Sequence, residues 1–146
     1  MQISAFWHTF SQLTYNKNKV MKKMMVLMAV VLSLSSFFVA GDSDKIINAL
    51  NQGNAGQFSA YFDNFLDIKL PEKDEIKNVG KTQAAITIKS FFDDIGVNGF
   101  EQTSQREMGG TMYLTGKLKG KSGTYNLTLL MKDRGDKLSI ISIRIS

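Results

Sequence analysis

Cysteine is absent from this chain of 146 residues, and histidine, tryptophan and proline each occur once. His8 and Trp7 lie near the start, so the sequence from residue 41 onward contains no Cys, His or Trp. This stretch cannot form disulfides, common zinc sites, haem ligation through His or Cys, or the Ser-His-Asp and Cys-His arrangements of many hydrolases. We expect no metal centre and no cofactor, and a fold that packing alone stabilises.

An apolar run that follows two lysines indicates a secretory signal peptide. Lys22 and Lys23 precede an apolar stretch of about 14 residues, and the small-residue sequence Val39-Ala40-Gly41 follows it. The run is too short, and too soon followed by polar residues, for a membrane-spanning helix. The pattern predicts an upstream extension over residues 1–20, a signal peptide over 21–41 with cleavage next to Gly41, and one mature domain over 42–146. A retained extension, with the run as an uncleaved anchor, is the alternative.

Removal of this leader changes the charge of the protein. The full chain has 18 basic and 13 acidic residues, and four of the lysines but none of the acidic residues precede residue 41. The net charge therefore falls from +5 to +1. Such a domain lacks the basic face that nucleic-acid binding needs, so we expect no nucleic-acid partner. No cysteine follows the small residues to carry a lipid, so we expect no membrane attachment after cleavage.

Hydrophobic periodicity predicts an α+β domain after the leader. Helical spacing predicts helices over residues 42–50, in a short segment capped by Asn54, and over 81–95. In the short helix four aromatic residues share one face, which we expect in the core: Phe58, Tyr61, Phe62 and Phe65. Alternation and Gly-containing turns predict strands over residues 64–70, 75–79, 97–108, 111–119, 124–132 and 137–145. The length of the last four predicts a strongly curved antiparallel sheet wrapped around the helices.

Several short stretches of the sequence resemble those of a known family. They are Gly53-Asn54-Ala55 with Tyr61-Phe62-Asp63, Lys81-Thr82-Gln83-Ala84 leading to Phe91-Phe92, Tyr113-Leu114-Thr115-Gly116, Gly123-Thr124-Tyr125 and Ile143-Arg144-Ile145. Together with the order of elements they are similar to the exported domain-of-unknown-function family 4783 of Gram-negative bacteria, over essentially the whole mature chain. The resemblance implies a cystatin-like or nuclear-transport-factor-two-like cone, with helices packed on a strongly curved antiparallel sheet, and export to the periplasm or beyond. It implies no catalytic residues.

The two faces of the predicted sheet indicate different roles. Alternation places the large apolar residues of strands 111–119 and 124–132 on the concave face under the helices. They either fill the cone or leave a small apolar pocket whose polar contacts are Tyr61, Arg106 or Tyr125. The opposite face carries the apolar residues Tyr113, Leu130 and Ile140, which predict a homodimer through this surface.

The sequence therefore favours an exported, non-catalytic binding or structural domain. The alternative is a carrier of a small apolar ligand, or a proton-transfer enzyme that pairs a Tyr donor with a carboxylate base inside the cone. The inward faces of the predicted elements carry no carboxylate, which favours the first interpretation.

Overall fold

A computed structural model of the protein describes residues 19–23 and 41–146. Residues 19–23 are helical, and residues 41–146 form a compact unit of their own. The predicted signal run lies outside the described residues, as does most of the predicted upstream extension. Among the residues described, no helix combines the length and apolar character that crossing a bilayer requires.

Within residues 41–146, three helices precede or interrupt the sheet: α1 (Asp42–Asn51), α2 (Ala55–Ser59) and α3 (Lys81–Ile95). The side-chain oxygen of Asn54 accepts the backbone N–H of Gln57 at 3.0 Å and caps α2, as predicted. Gly96 ends α3 in the left-handed conformation, at φ 62°, which a residue without a Cβ adopts at little cost. The predicted bounds of α3 are confirmed.

Six strands form one sheet. They are β1 (Phe62–Lys69), β2 (Ile76–Gly80), β3 (Val97–Met108), β4 (Thr111–Gly120), β5 (Gly123–Asp133) and β6 (Leu138–Ile145). Their order across the sheet is β2-β1-β6-β5-β4-β3. The predicted antiparallel meander of β3 to β6 is confirmed, and β1 joins it by pairing in parallel with β6. The first and last strands of the domain are therefore neighbours within the sheet, inside its two edges.

The helices cover the concave face of this sheet and exclude water from it. Residues of all three helices and of β1, β4, β5 and β6 share one core, and many of their side chains are fully buried. At its centre the Phe58 ring meets Phe62 edge-on at 5.2 Å between centroids and stacks on Phe92 at 5.7 Å. Such aromatic pairs add stability beyond the area that they bury.

Phe65 and Ile140 each point to the side of the sheet opposite to the one predicted, because the backbone is irregular just before or at each residue. The helix α2 ends at Ser59 and β1 begins at Phe62, so Phe65 follows the strand alternation and lies 60% exposed. In β6 a bulge shifts the register, because Leu130 pairs with Ser142 while Met131 pairs with Ile140. The extra residue reverses the alternation, and Ile140 lies fully buried in the core instead of on the outer face.

Candidate functional site

Tyr61 lines a polar groove of about 370 Å³ between α1 and α2, together with Lys45, Asn48, Gln57 and Ala60. Its ring is partly buried and packs against the core. Its backbone is held on both sides, because its N–H bonds Phe58 O at 3.2 Å and its carbonyl accepts the N–H of Ile140 at 2.7 Å. The groove therefore presents the Lys45 ammonium, the side-chain amides of Asn48 and Gln57 and the Tyr61 hydroxyl, which can all form hydrogen bonds to a polar ligand.

Two further lysines converge next to this groove. The Nζ atoms of Lys81 and Lys137 both donate to the backbone oxygen of Ala60, at 3.4 Å and 3.2 Å. Positive charge is favourable there because α2 ends at this point and exposes unpaired carbonyls. A neutral carbonyl does not compensate two ammonium charges, so the rim of the groove has a positive character. These lysines come from separate elements, and no local spacing in the sequence marks them.

An ion pair fixes the loop before β6 near the start of β1. The Arg134 guanidinium donates to the Asp63 carboxylate and holds the pKa of that carboxyl below its ordinary value, while burial acts in the opposite direction. The N–H of Asn64 also donates to this carboxylate, at 2.8 Å. The pair therefore favours the ionised carboxylate and anchors the β5–β6 loop beside Tyr61.

Tyr125 lies elsewhere, against α3. Its ring meets Phe91 edge-on, with 5.7 Å between centroids. Phe91 also lines a second groove of about 280 Å³, whose other apolar residues are Leu70 and Ile86 and whose polar residues include Lys73 and Asp94. The structure thus places Tyr61 and Tyr125 at different surfaces and does not bring them together in one pocket.

Arg106 does not line the cone. It lies exposed opposite Tyr113, on the outer face of the sheet. A bulge in β3 is the cause, because Gln102 pairs with Gly116 while Ser104 pairs with Thr115. The extra residue, Thr103, reverses the alternation for the rest of the strand. The prediction of Arg106 as a pocket residue is wrong for the same physical reason as that of Ile140 on the outer face.

The outer face of the sheet keeps two of the three apolar residues predicted for it. Tyr113 is 44% exposed and pairs across the strands with Leu130, which is partly buried. Without Ile140, these two side chains form a small patch. Across the described ranges, 19–23 and 41–146, no group of three His, Cys, Asp or Glu side chains is arranged to hold a metal ion.

Comparison with known proteins identifies the fold. The family described as domain of unknown function (DUF4783) matches residues 43–146. A DUF4783 family protein from Bacteroides ovatus is 23% identical, with a TM-score of 0.65 over 69% of this chain and 90% of that one. One from Bacteroides uniformis is 22% identical, with a TM-score of 0.66 over 70% and 94% of the two chains.

A more distant similarity extends to other cone-shaped folds. A cystatin-fold protein from Novosphingobium aromaticivorans is 11% identical, with a TM-score of 0.54 over 72% of this chain and 94% of that one. Chains of the NTF2 type superpose with a comparable score. At these identities the similarity shows the cystatin-like and NTF2-like α+β fold alone. No curated protein matches the chain.

Proposed function

This chain belongs to the DUF4783 family, and we propose that it is an exported, non-catalytic domain that binds a ligand or partner at its surface. The packing of the cone carries this proposal. Phe58, Phe62, Leu114, Leu118 and Met131 are among the large side chains with almost no exposed surface. They occupy the space that a carrier or an enzyme of this fold would leave for a ligand.

The start of the folded unit supports export. Helix α1 begins at Asp42, next to the cleavage point that the sequence predicts. The Asp42 carboxylate accepts the N–H of Leu138 at 3.0 Å and lies 3.8 Å from the Lys45 ammonium. Cleavage after Gly41 keeps these contacts, whereas cleavage one residue later removes them. We therefore expect the mature protein to begin at Gly41 or Asp42.

Intact mass tests both parts of the proposal. The full-length gene is expressed in a Gram-negative host, and the protein that accumulates is purified from the periplasm. We expect a denatured mass that starts at Gly41 or Asp42, and a native mass equal to the polypeptide or a whole multiple of it. Extra native mass that denaturation removes would indicate a ligand in the cone and contradict the packed interior. A control with Val30→Asp and Val31→Asp interrupts the apolar run and should retain the leader.

The positive groove around Tyr61 is the surface at which we expect recognition. Its rim favours an anionic group, for which inorganic phosphate is a simple probe. Phosphate should shift the backbone amide signals of Ala60 and Tyr61 in an NMR titration, relative to sodium chloride of equal ionic strength. Lys137→Gln should weaken this response, whereas Lys89→Gln should not, because Lys89 pairs with Asp93 on α3 at 2.8 Å. Equal responses to both salts would exclude the groove as an anion site.

A further inference from the structure

The two edges of the sheet differ in length and protection. Strand β2 has five residues, whereas β3 has twelve residues and pairs with β4 along its length. Helix α1 reaches the other side of β3 near Phe100, whose N–H donates to the Asn51 side-chain oxygen at 2.9 Å. The first turn of α1 also reaches the inner face of β3, where the Gln105 side chain donates to the Ser43 hydroxyl at 3.4 Å. Residues 101–108 are nevertheless exposed apart from Ser104. The unpaired backbone N–H and C=O groups of this exposed edge can form hydrogen bonds to a strand of another chain.

The bulge in β3 arranges the side chains of this edge symmetrically. Glu101 and Arg106 lie opposite Lys117 and Tyr113, on the outer face. Gln102 and Gln105 lie opposite Gly116 and Leu114, on the inner face. From residue 101 to 106 the sequence reads Glu-Gln-Thr-Ser-Gln-Arg. When two copies of this segment are aligned antiparallel, Glu101 lies opposite Arg106, Gln102 opposite Gln105 and Thr103 opposite Ser104. The two residues of each pair lie on the same face of the sheet only because the bulge is present.

The backbone follows the same symmetry. The N–H of Phe100 points away from β4, so the alternation of an antiparallel strand also directs the N–H and C=O of Gln102 to the free edge. Gln102 and Gln105 lie opposite Gly116 and Leu114, which are two positions apart in β4 and so have the same backbone orientation. The N–H and C=O of Gln105 therefore also point to the free edge. Two residues related by the symmetry therefore present the donors and acceptors that a paired strand needs.

We propose that β3 pairs antiparallel with β3 of a second copy of this chain, about a two-fold axis between Thr103 and Ser104. Gln102 exchanges two backbone hydrogen bonds with the partner's Gln105, and the symmetry repeats the exchange. On the outer face Glu101 lies opposite the partner's Arg106, again twice. Such a self-complementary interface is the usual one in symmetric dimers, and it extends one sheet across both copies.

The order of the charged residues along β3 favours pairing with a second copy and does not protect the edge against it. Sheet edges that avoid pairing carry charges that would repel or remain unpaired in an added strand. Here the two charges fall opposite each other with opposite sign in the symmetric register. Glu101 does have an internal partner, Lys119, at 3.0 Å, but both side chains are mostly exposed and such a pair contributes little. The Glu101 carboxylate can therefore also pair with the partner's Arg106, on the side away from β4.

Charge reversal gives a sharp test by sedimentation equilibrium of the purified protein. Glu101→Arg and Arg106→Glu should each weaken the dimer, by about tenfold or more in dissociation constant, because each places like charges opposite one another twice. An equimolar mixture of these two variants should restore the dimer, because each chain then offers the charge that the other lacks. Lys119→Gln is the control: it removes the internal partner of Glu101 and should leave the dimer intact.

Circular dichroism of each variant checks that it is folded. Three outcomes would overturn the proposal: wild-type protein that stays monomeric at millimolar concentration, single variants that associate like wild type, or a mixture that stays monomeric. Loss of the dimer in Tyr113→Asp with no effect of the charge reversals would instead locate the interface on the outer face of the sheet.

Discussion

Gly116 lies at a close contact between β4 and the neighbouring strand β3. A Cβ at this position would lie 2.4 Å and 2.6 Å from two ring carbons of Phe100, and 2.4 Å from the backbone oxygen of Glu101. Carbon atoms in ordinary contact are about 3.5 Å apart. The Phe100 ring must therefore move by about 1 Å in Gly116→Ala, out of a site where it is 7% exposed.

The expected cost combines two opposing effects. Overpacking of a core contact costs about 1–3 kcal/mol, and the backbone oxygen of Glu101 is less able to move than a side chain. Replacement of Gly by Ala returns about 0.4–1 kcal/mol by restricting the unfolded chain. We expect Gly116→Ala to lower the free energy of unfolding by about 2 kcal/mol, and Tm by about 10 °C for a domain of this size.

Urea unfolding followed by far-UV circular dichroism measures this change, since the described domain has no tryptophan. Gly99→Ala is the matched control, because a Cβ there meets only Lys119, at an ordinary 3.7 Å. Its stability should not fall, and the restriction of the unfolded chain should raise it by about 0.4–1 kcal/mol. In a Phe100→Ala background the cost of Gly116→Ala should fall by about 1 kcal/mol, since one clash is gone. Wild-type stability in Gly116→Ala, or no coupling to Phe100, would refute the reasoning.

Three further changes test other parts of the structure. Arg134→Ala should lower stability by about 0.5–1 kcal/mol at pH 7. Because the pKa of Asp63 is lowered in the folded protein, the contribution of the ion pair is present above the ordinary carboxyl pKa and is lost as pH falls through the folded-state pKa. The urea midpoints of variant and wild type should therefore converge in acid. Ile140→Ala should cost about 2–5 kcal/mol and Leu130→Ala clearly less, with equal costs contradicting the bulge in β6. Asn54→Ala should cost about 1 kcal/mol by urea unfolding, whereas Asn54→Asp should retain most of the stability because Asp also caps; similar losses in both would argue against the cap of α2.

Local sequence signals were sufficient for most elements of this fold. Helix α3 has a complete apolar stripe and a glycine stop, and its bounds agree with the prediction. The four long strands are separated by glycine-containing turns, which define the meander, and β4 and β5 alternate without interruption, which defines the concave face. These features depend on residues a few positions apart, so the sequence contains the information directly.

Side-chain direction beyond a bulge could not be predicted in the same way. Simple alternation places Ile140 on the outer face, and a single extra residue in β6 reverses its direction. An extra residue in β3 likewise turns Arg106 away from the cone. A bulge forms where a curved sheet must follow the helices packed against it, which is a property of the whole domain. Nothing in the local sequence of either strand marks its position.

The sequence by itself determined the α+β class, the order of helices and strands, and the absence of Cys and His chemistry from residue 41 onward, because each follows from composition or short-range periodicity. Tertiary structure alone decided the parallel pairing of β1 with β6, the convergence of Lys81 and Lys137 on Ala60, and the symmetric edge from Glu101 to Arg106. These features join residues distant in the chain or depend on bulges, so they arise only when the sheet closes around its core.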